Sequence, residues 1–258
     1  MTTEQRFTAA HRSDGPSTDP VHVVLVPGFW LGGWAWDDVV PHLAAAGVVP
    51  HAMTLPGMSP QDTPEVRAAT TRDDQVAAVA ALVAGLDGDV VLVGHSGGGP
   101  VVQEVADRDP GRVRRVVYVD AGPLVDGAAL SPDLPADVTE LGLPTWDELT
   151  EQGSSLDGLD DAALARFRER AVPTPGPVAR GPVRVSDPAR LAVPTTAICS
   201  SIPSTVLAEL ANPGPPLHTE LGELTDLTYV DVPTGHWPMF SRPRELADAI
   251  VGAARQKS

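Results

Sequence analysis

The stretch Asp89 to Gly99, DVVLVGHSGGG, decides how the rest of the chain is read. Val90 to Val93 is mostly β-branched and too short for a helix, which predicts a buried strand. Gly99 to Asp109 (GPVVQEVADRD) has apolar residues at helical spacing, which predicts a helix. Between them Gly94, His95, Ser96, Gly97 and Gly98 spell GxSxG, and in a strand-to-helix context that pattern is a nucleophile elbow. The serine occupies a sharp, strained turn, and a side chain at either flanking glycine would crowd the backbone. The competing reading is a glycine-rich turn whose serine only caps the helix.

Outward from this stretch the same alternation repeats. VHVVLV (Val21 to Val26) predicts a buried strand, and GWAWDDVVPHLAAAG (Gly33 to Gly47) a helix stopped by glycine. VVPHAMTL (Val48 to Leu55) is a second strand, followed by the helix DDQVAAVAALVAGL with Asp73 or Asp74 as its cap. RRVVYVD, TTAIC and LTYVDV supply three more strands, and a last helix starts near Pro243. The expected fold is therefore α/β: a doubly wound, mostly parallel sheet whose ligands bind at the carboxyl ends of the strands. Between Gly122 and Pro194 the alternation breaks. That segment contains the helical candidate LDDAALARFRERA and is too long for an ordinary loop. It predicts a small helical cap over residues 123–193, inserted between two core strands, with the core formed by 21–122 and 194–258. PTPGPVARGP (Pro173 to Pro182) is its most linker-like part.

Composition narrows the function. A net charge of −16, with basic residues scarce, argues against a nucleic-acid partner. The single cysteine, Cys199, excludes an intrachain disulfide and a cysteine-rich zinc site, and its apolar setting predicts a buried thiol. Residues 1–20 are polar and lack an apolar leader, so they read as a disordered tail of a cytoplasmic protein. No apolar run approaches the roughly 20 residues of a membrane span.

A serine hydroxyl needs a base to become nucleophilic. Of the seven histidines, His236 in PTGHWPMFSRP follows the final strand and therefore falls on the carboxyl-end rim; His218 is a weaker second choice. His95 is expected beneath the elbow, and His22, His42 and His51 in structural positions. The carboxylate that orients the base is expected between serine and histidine in chain order. Asp120, ending RRVVYVD, fits; Asp126 and the more remote Glu209 are the alternatives. Two backbone NH groups must face the developing oxyanion, and Gly97 and Phe29 can supply them, whereas Pro27 has no NH. Trp30, Trp237 and Met239 are candidate walls of a substrate pocket, with core packing as the rival reading.

VLVPGFWLGGWAW, GHSGGG and TGHWPMFSRP together resemble the α/β-hydrolase superfamily, and within it the small esterase group that includes plant methylesterases and hydroxynitrile lyases. The resemblance runs from Val21 to about Ala254. It implies a serine hydrolase that cleaves a small-molecule carboxylic ester through an acyl-enzyme, without metal or organic cofactor. In that group the Pro27 position is usually histidine, and in much of the superfamily the acid follows the strand corresponding to TTAIC. Here that place holds Ser200, Ser201 and Ile202, which makes Asp120 the shifted candidate for the acid. Hydroxynitrile lyases use a lysine near the site, and the only lysine here is Lys257. The alternatives are a lyase, cyclase or other tailoring enzyme on the same fold and, more remotely, a non-catalytic ligand-binding protein.

Overall fold

Side-chain alternation along the apolar strands divides the core into two faces. The strands are β1 (Val21–Val26), β2 (Val49–Ala52), β3 (Asp89–His95), β4 (Val113–Val119), β5 (Glu140–Leu141), β6 (Thr174–Pro175), β7 (Thr195–Cys199) and β8 (Leu227–Asp231). In this computed structural model, which describes residues 20–211 and 219–256, six of them form one parallel sheet in the order β2-β1-β3-β4-β7-β8. Most of the tail expected over residues 1–20, the candidate His218 and Lys257 lie outside the described residues. On one face Val23, Leu25, Val91, Val93, Val117 and Val119 join a single buried cluster; on the other, Val24, Val26, Val90, Leu92, Val116 and Tyr118 join a second. A strand buried on both faces has no polar alternation, which is why these segments read as continuous apolar runs.

Helices cover both faces. They are α1 (Val40–Ala45), α2 (Pro64–Ala69), α3 (Arg72–Ala84), α4 (Gly99–Arg108), α5 (Trp146–Glu151), α6 (Asp161–Arg170), α7 (Gly176–Arg180), α8 (Ser204–Leu210), α9 (Pro238–Ser241) and α10 (Pro243–Arg255). Leu43 of α1 and Leu246 and Ile250 of α10 pack on the first face, and Val76 and Val79 of α3 with Val101 and Val102 of α4 on the second. Strand order reverses between β1 and β3: β1 leads on to α1 on the first face and β3 to α4 on the second, and in such sheets the ligand crevice forms at that switch point.

Four local expectations are corrected. The helix expected over Gly33 to Gly47 is a 3-10 turn, Gly33–Trp36, followed by the short α1. Pro41 lacks an NH and suits only a first turn, so the helix starts beside it. The strand expected over Val48 to Leu55 is only β2, an edge strand, where Pro50 is tolerated. The cap of α3 is Thr71, not Asp73 or Asp74: its side chain accepts from Asp74 N while Asp74 reaches back to Thr71 N. The linker-like 173–182 forms β6, which pairs antiparallel with β5, and α7, whose Val178 and Ala179 are buried. Arg72 fastens it, with Nη2 donating to Val178 O (3.0 Å) and Gly181 O (2.6 Å). The segment between β4 and β7 also contributes Leu149 and Phe167 to the first buried cluster, so it shares the core of the sheet.

Arg72 faces Glu104 of α4 at 3.8 Å, both almost fully buried. At that separation the attraction does not offset the cost of dehydrating the carboxylate, and burial pushes Glu104 up to about 7 despite Arg72. A carboxyl whose folded pKa lies above its unfolded value contributes stability below the unfolded value, and that contribution is lost as pH rises through about 7. Melting curves from pH 5 to pH 8 should therefore show wild type losing stability relative to Glu104→Gln as pH rises. A difference independent of pH would refute the assignment.

Candidate active site

The turn after β3 is closed by contacts that only glycine permits. A Cβ on Gly94 would stand 2.8 Å from Gly98 O, and one on Gly98 would stand 2.6 Å from Val26 O. Ser96, between them, has a φ of 47°. Residues other than glycine rarely occupy that left-handed region, and it costs about 1 to 3 kcal/mol unless the surroundings enforce it. The neighbouring loop closes in from β1, where a Cβ on Gly28 would come within 2.9 Å of Ser96 Cβ. Ser96 Oγ is thereby held at the crevice between the ends of β1 and β3.

His236 reaches it from the far side of the sheet. Its Nε2 lies 2.8 Å from Ser96 Oγ, and its Nδ1 lies 2.5 Å from Asp120 Oδ2. A carboxylate only accepts, so Nδ1 carries the proton and donates, leaving Nε2 as the acceptor for the serine hydroxyl. Three loops converge to fix the imidazole. His236 N donates to Ser155 O (2.7 Å) and Gly235 N to Asp157 O (2.9 Å), both from the segment between β4 and β7. His236 O accepts from Nε2 of His95 (2.8 Å), which lies fully buried beneath the elbow.

Asp120 stands one residue beyond β4, with a φ of 45° and its amide donating to Ile198 O (2.9 Å). Oδ1 accepts from Ser201 N (2.8 Å) and Ser200 N (3.2 Å); Oδ2 accepts from Ser201 Oγ (2.6 Å) as well as from His236. Burial alone would raise this carboxyl. The His236 hydrogen bond and charge, with the hydroxyl and amide of Ser201, outweigh it and hold Asp120 well below the usual carboxylate range. His95 moves the other way from its ordinary value: burial and the neighbouring His236 push it down to about 3, so it stays neutral. Burial, with Asp231 and Asp120 adding to it, pushes the Cys199 thiol up to about 12. That thiol is inert in the core wall.

The other sequence candidates are placed elsewhere. Asp126 Oδ1 accepts from Val185 N (3.0 Å), which ties down its own loop, and Glu209 lies on α8. His22 and His51 bond to each other (2.9 Å) at the edge of the sheet, and His42 lies on α1. Trp237 and Met239 are 2% and 0% exposed and belong to the first buried cluster, so they are core rather than open pocket wall. Trp237 packs edge-on to both His236 and Phe167. Trp30 is half-buried, with a φ of 64°. Its amide donates to Thr174 Oγ1 (2.9 Å) and its indole NH to Leu141 O (3.0 Å), which removes the Trp30 amide from competition for an oxyanion. The Phe29 ring lies against Gly97, where a Cβ would come within 2.5 Å of it, so the two donor candidates are packed together.

Sequence reading missed Thr174, Leu141 and Ser201. The first two are remote in sequence from the loop they hold, with no local pattern to mark them. Ser201 had one signal, a polar pair ending an apolar strand. Beyond Asp120 lies an apolar cavity of about 190 Å³ walled by Leu124, Ile198, Ile202, Leu207 and Leu221. Among the described residues no helix is long and apolar enough to cross a membrane.

Residues 23–249 match the model of the alpha/beta hydrolase family. The pyrethroid hydrolase of Sphingobium wenxiniae is 26% identical over 90% of this chain and 87% of its own length. Methylesterase 17 of Arabidopsis thaliana is 28% identical over about half of each protein, 49% of this chain and 46% of the relative. Among solved structures, an extracellular alpha/beta-hydrolase from a Paenibacillus species superposes with a TM-score of 0.70 at 21% identity, covering 92% of this chain and all of that one. With a parallel sheet of that order, an elbow after its third strand and a family match over most of the sequence, the chain belongs to the alpha/beta hydrolase family.

Proposed function

We propose that the protein is a serine esterase that hydrolyses a small-molecule carboxylic ester through an acyl-enzyme. The observation that carries this reading is the unbroken hydrogen-bonded chain from Ser96 Oγ through His236 to Asp120. Its similarity to a pyrethroid hydrolase and a methylesterase supports the same class of substrate. Ser96 attacks the ester carbonyl while His236 Nε2 takes its proton, and Asp120 stabilises the imidazolium that results. The carbonyl oxygen, now negative, is received by the amides of Phe29 and Gly97. As the tetrahedral adduct collapses, Nε2 returns the proton to the departing alcohol. Water then repeats the sequence on the acyl-enzyme: it gives a proton to Nε2, its oxygen bonds to the acyl carbon, and the carboxylic acid leaves as Ser96 regains its proton.

The segment 123–193 acts in this reading as a cap rooted on both catalytic loops. Leu141, Val172 and Thr174 bond to Trp30, beside the oxyanion donors, and Ser155 and Asp157 bond to the His236 loop. Position and hydrogen bonding of the cap therefore set the geometry of donor and base together.

A fluorophosphonate probe should label wild type on Ser96, and hydrolysis of a p-nitrophenyl ester should stop when it does. Ser96→Ala should lose both, and His236→Ala should lose at least about 10³-fold in kcat. A folded wild type that takes no label would overturn the reading. The oxyanion assignment has its own test. Gly97→Ala forces the Phe29 ring away from the donor pair, and kcat should fall about 10²-fold or more with little change in KM. An undiminished kcat would place the donors elsewhere.

A further inference from the structure

We propose that Ser201 is the positioning residue of this site, holding the Asp120 carboxylate in the one orientation that serves His236. The inference rests on the esterase reading above and adds a residue to its machinery. An ionised carboxylate offers about four acceptor positions, and here four donors occupy them. Oδ1 takes the amides of Ser200 and Ser201, and Oδ2 takes the hydroxyl of Ser201 and the imidazole Nδ1. Ser201 alone bonds both oxygens, through its amide at 2.8 Å and its hydroxyl at 2.6 Å. That two-point grip fixes the rotation of the carboxylate plane, which a single bond would leave free.

The same turn also reaches the base. Thr234 N donates to Ser200 O (3.3 Å) and Val232 N to Cys199 O (2.8 Å), so the end of β7 braces the acid on one side and the chain leading to His236 on the other. The two serines have different parts in this. Among the described residues Ser200 Oγ is buried with no hydrogen-bond partner, so Ser200 contributes its backbone, whereas Ser201 contributes its side chain. Asp120 needs such a brace because its backbone sits at a φ of 45°, outside the region a strand end would adopt unaided.

The geometry also makes the two positions exchangeable. Ser201 Oγ lies 2.6 Å from the oxygen that holds Nδ1, so a carboxylate carried by residue 201 reaches the space that the Asp120 carboxylate would vacate.

The experiment compares five purified proteins on a p-nitrophenyl ester and by fluorophosphonate labelling: wild type, Ser201→Ala, Ser201→Thr, Asp120→Gly, and Asp120→Gly with Ser201→Asp. Glycine suits the left-handed backbone at 120, and melting curves confirm that each variant is folded. Ser201→Ala should lower kcat about 10-fold with KM within about twofold, and Ser201→Thr, which keeps the hydroxyl, should restore it. Asp120→Gly should lose about 10³-fold or more, and adding Ser201→Asp should recover at least about 30-fold of that loss. A purely structural role for Ser201 predicts that Ser201→Ala lowers the melting temperature and leaves kcat unchanged. The proposal is overturned if Ser201→Ala retains full kcat or Ser201→Thr fails to restore it, and the exchange of positions falls if the folded double variant is no faster than Asp120→Gly. Absence of label on wild-type Ser96 would instead bring down the esterase reading on which this one stands.

Discussion

The close approach of β1 and β3 at their carboxyl ends is the constraint on which the site depends. Gly28 leaves the first strand where any side chain would strike Ser96, and Gly98 leaves the elbow where any side chain would strike the carbonyl of Val26. The two backbones therefore touch, and the loop after β1 is brought beside Ser96 without a long connecting structure. The cost appears in the dihedral angles. Among the described residues the non-glycine positions with positive φ are Trp30, Ser96 and Asp120, and all three belong to this site. Each is held by a packed or hydrogen-bonded neighbour: Trp30 by Thr174 and Leu141, Ser96 by the elbow glycines, Asp120 by Ile198 and the serine pair. Strain placed only where chemistry is proposed is the pattern expected of a preorganised site.

Electrostatics follow from the same geometry. Charge separation between His236 and Asp120 is favoured because Asp120 stays ionised while the histidine beneath it, His95, stays neutral. A cationic His95, its ring 5.0 Å from that of His236, would oppose the imidazolium of the proposed mechanism. Burial prevents this, and the neutral ring instead uses its Nε2 proton to hold the backbone of the base. One buried histidine thus positions its partner without competing with it for charge.

The mostly parallel sheet and the places of Ser96, His236 and Asp120 at its strand ends were legible because each rests on a local pattern. β-branched runs give strands, glycine spacing gives the elbow, and a residue that ends a parallel strand must lie on the carboxyl rim. What was illegible depends on partners distant in sequence. The stretch 173–182 has the composition of a linker, and nothing within it reveals that Arg72, a hundred residues earlier, donates to its carbonyls. Trp237 and Met239 flank a candidate base and so looked like pocket wall. Phe167, which arrives from the inserted segment, fills the space beside Trp237, and Met239 joins the same buried cluster. The helix expected from Gly33 failed for a local reason instead, a proline inside an otherwise periodic run.

The position of the acid illustrates how little a parallel sheet constrains such a group. β4 and β7 are neighbours in register, Val119 opposite Ile198, and adjacent strands lie about 4.8 Å apart. A carboxylate leaving either strand end can span that gap with one side chain, and both ends face the loop that carries His236. The sheet therefore fixes where the imidazole must be supported without fixing which strand supplies the support. Whichever strand gives up the carboxylate still presents amides at the same level. Here those of Ser200 and Ser201 are turned onto Asp120. The absence of an acid after TTAIC is thus a change of donor and acceptor between two strand ends, with the hydrogen-bonded chain to Ser96 left whole.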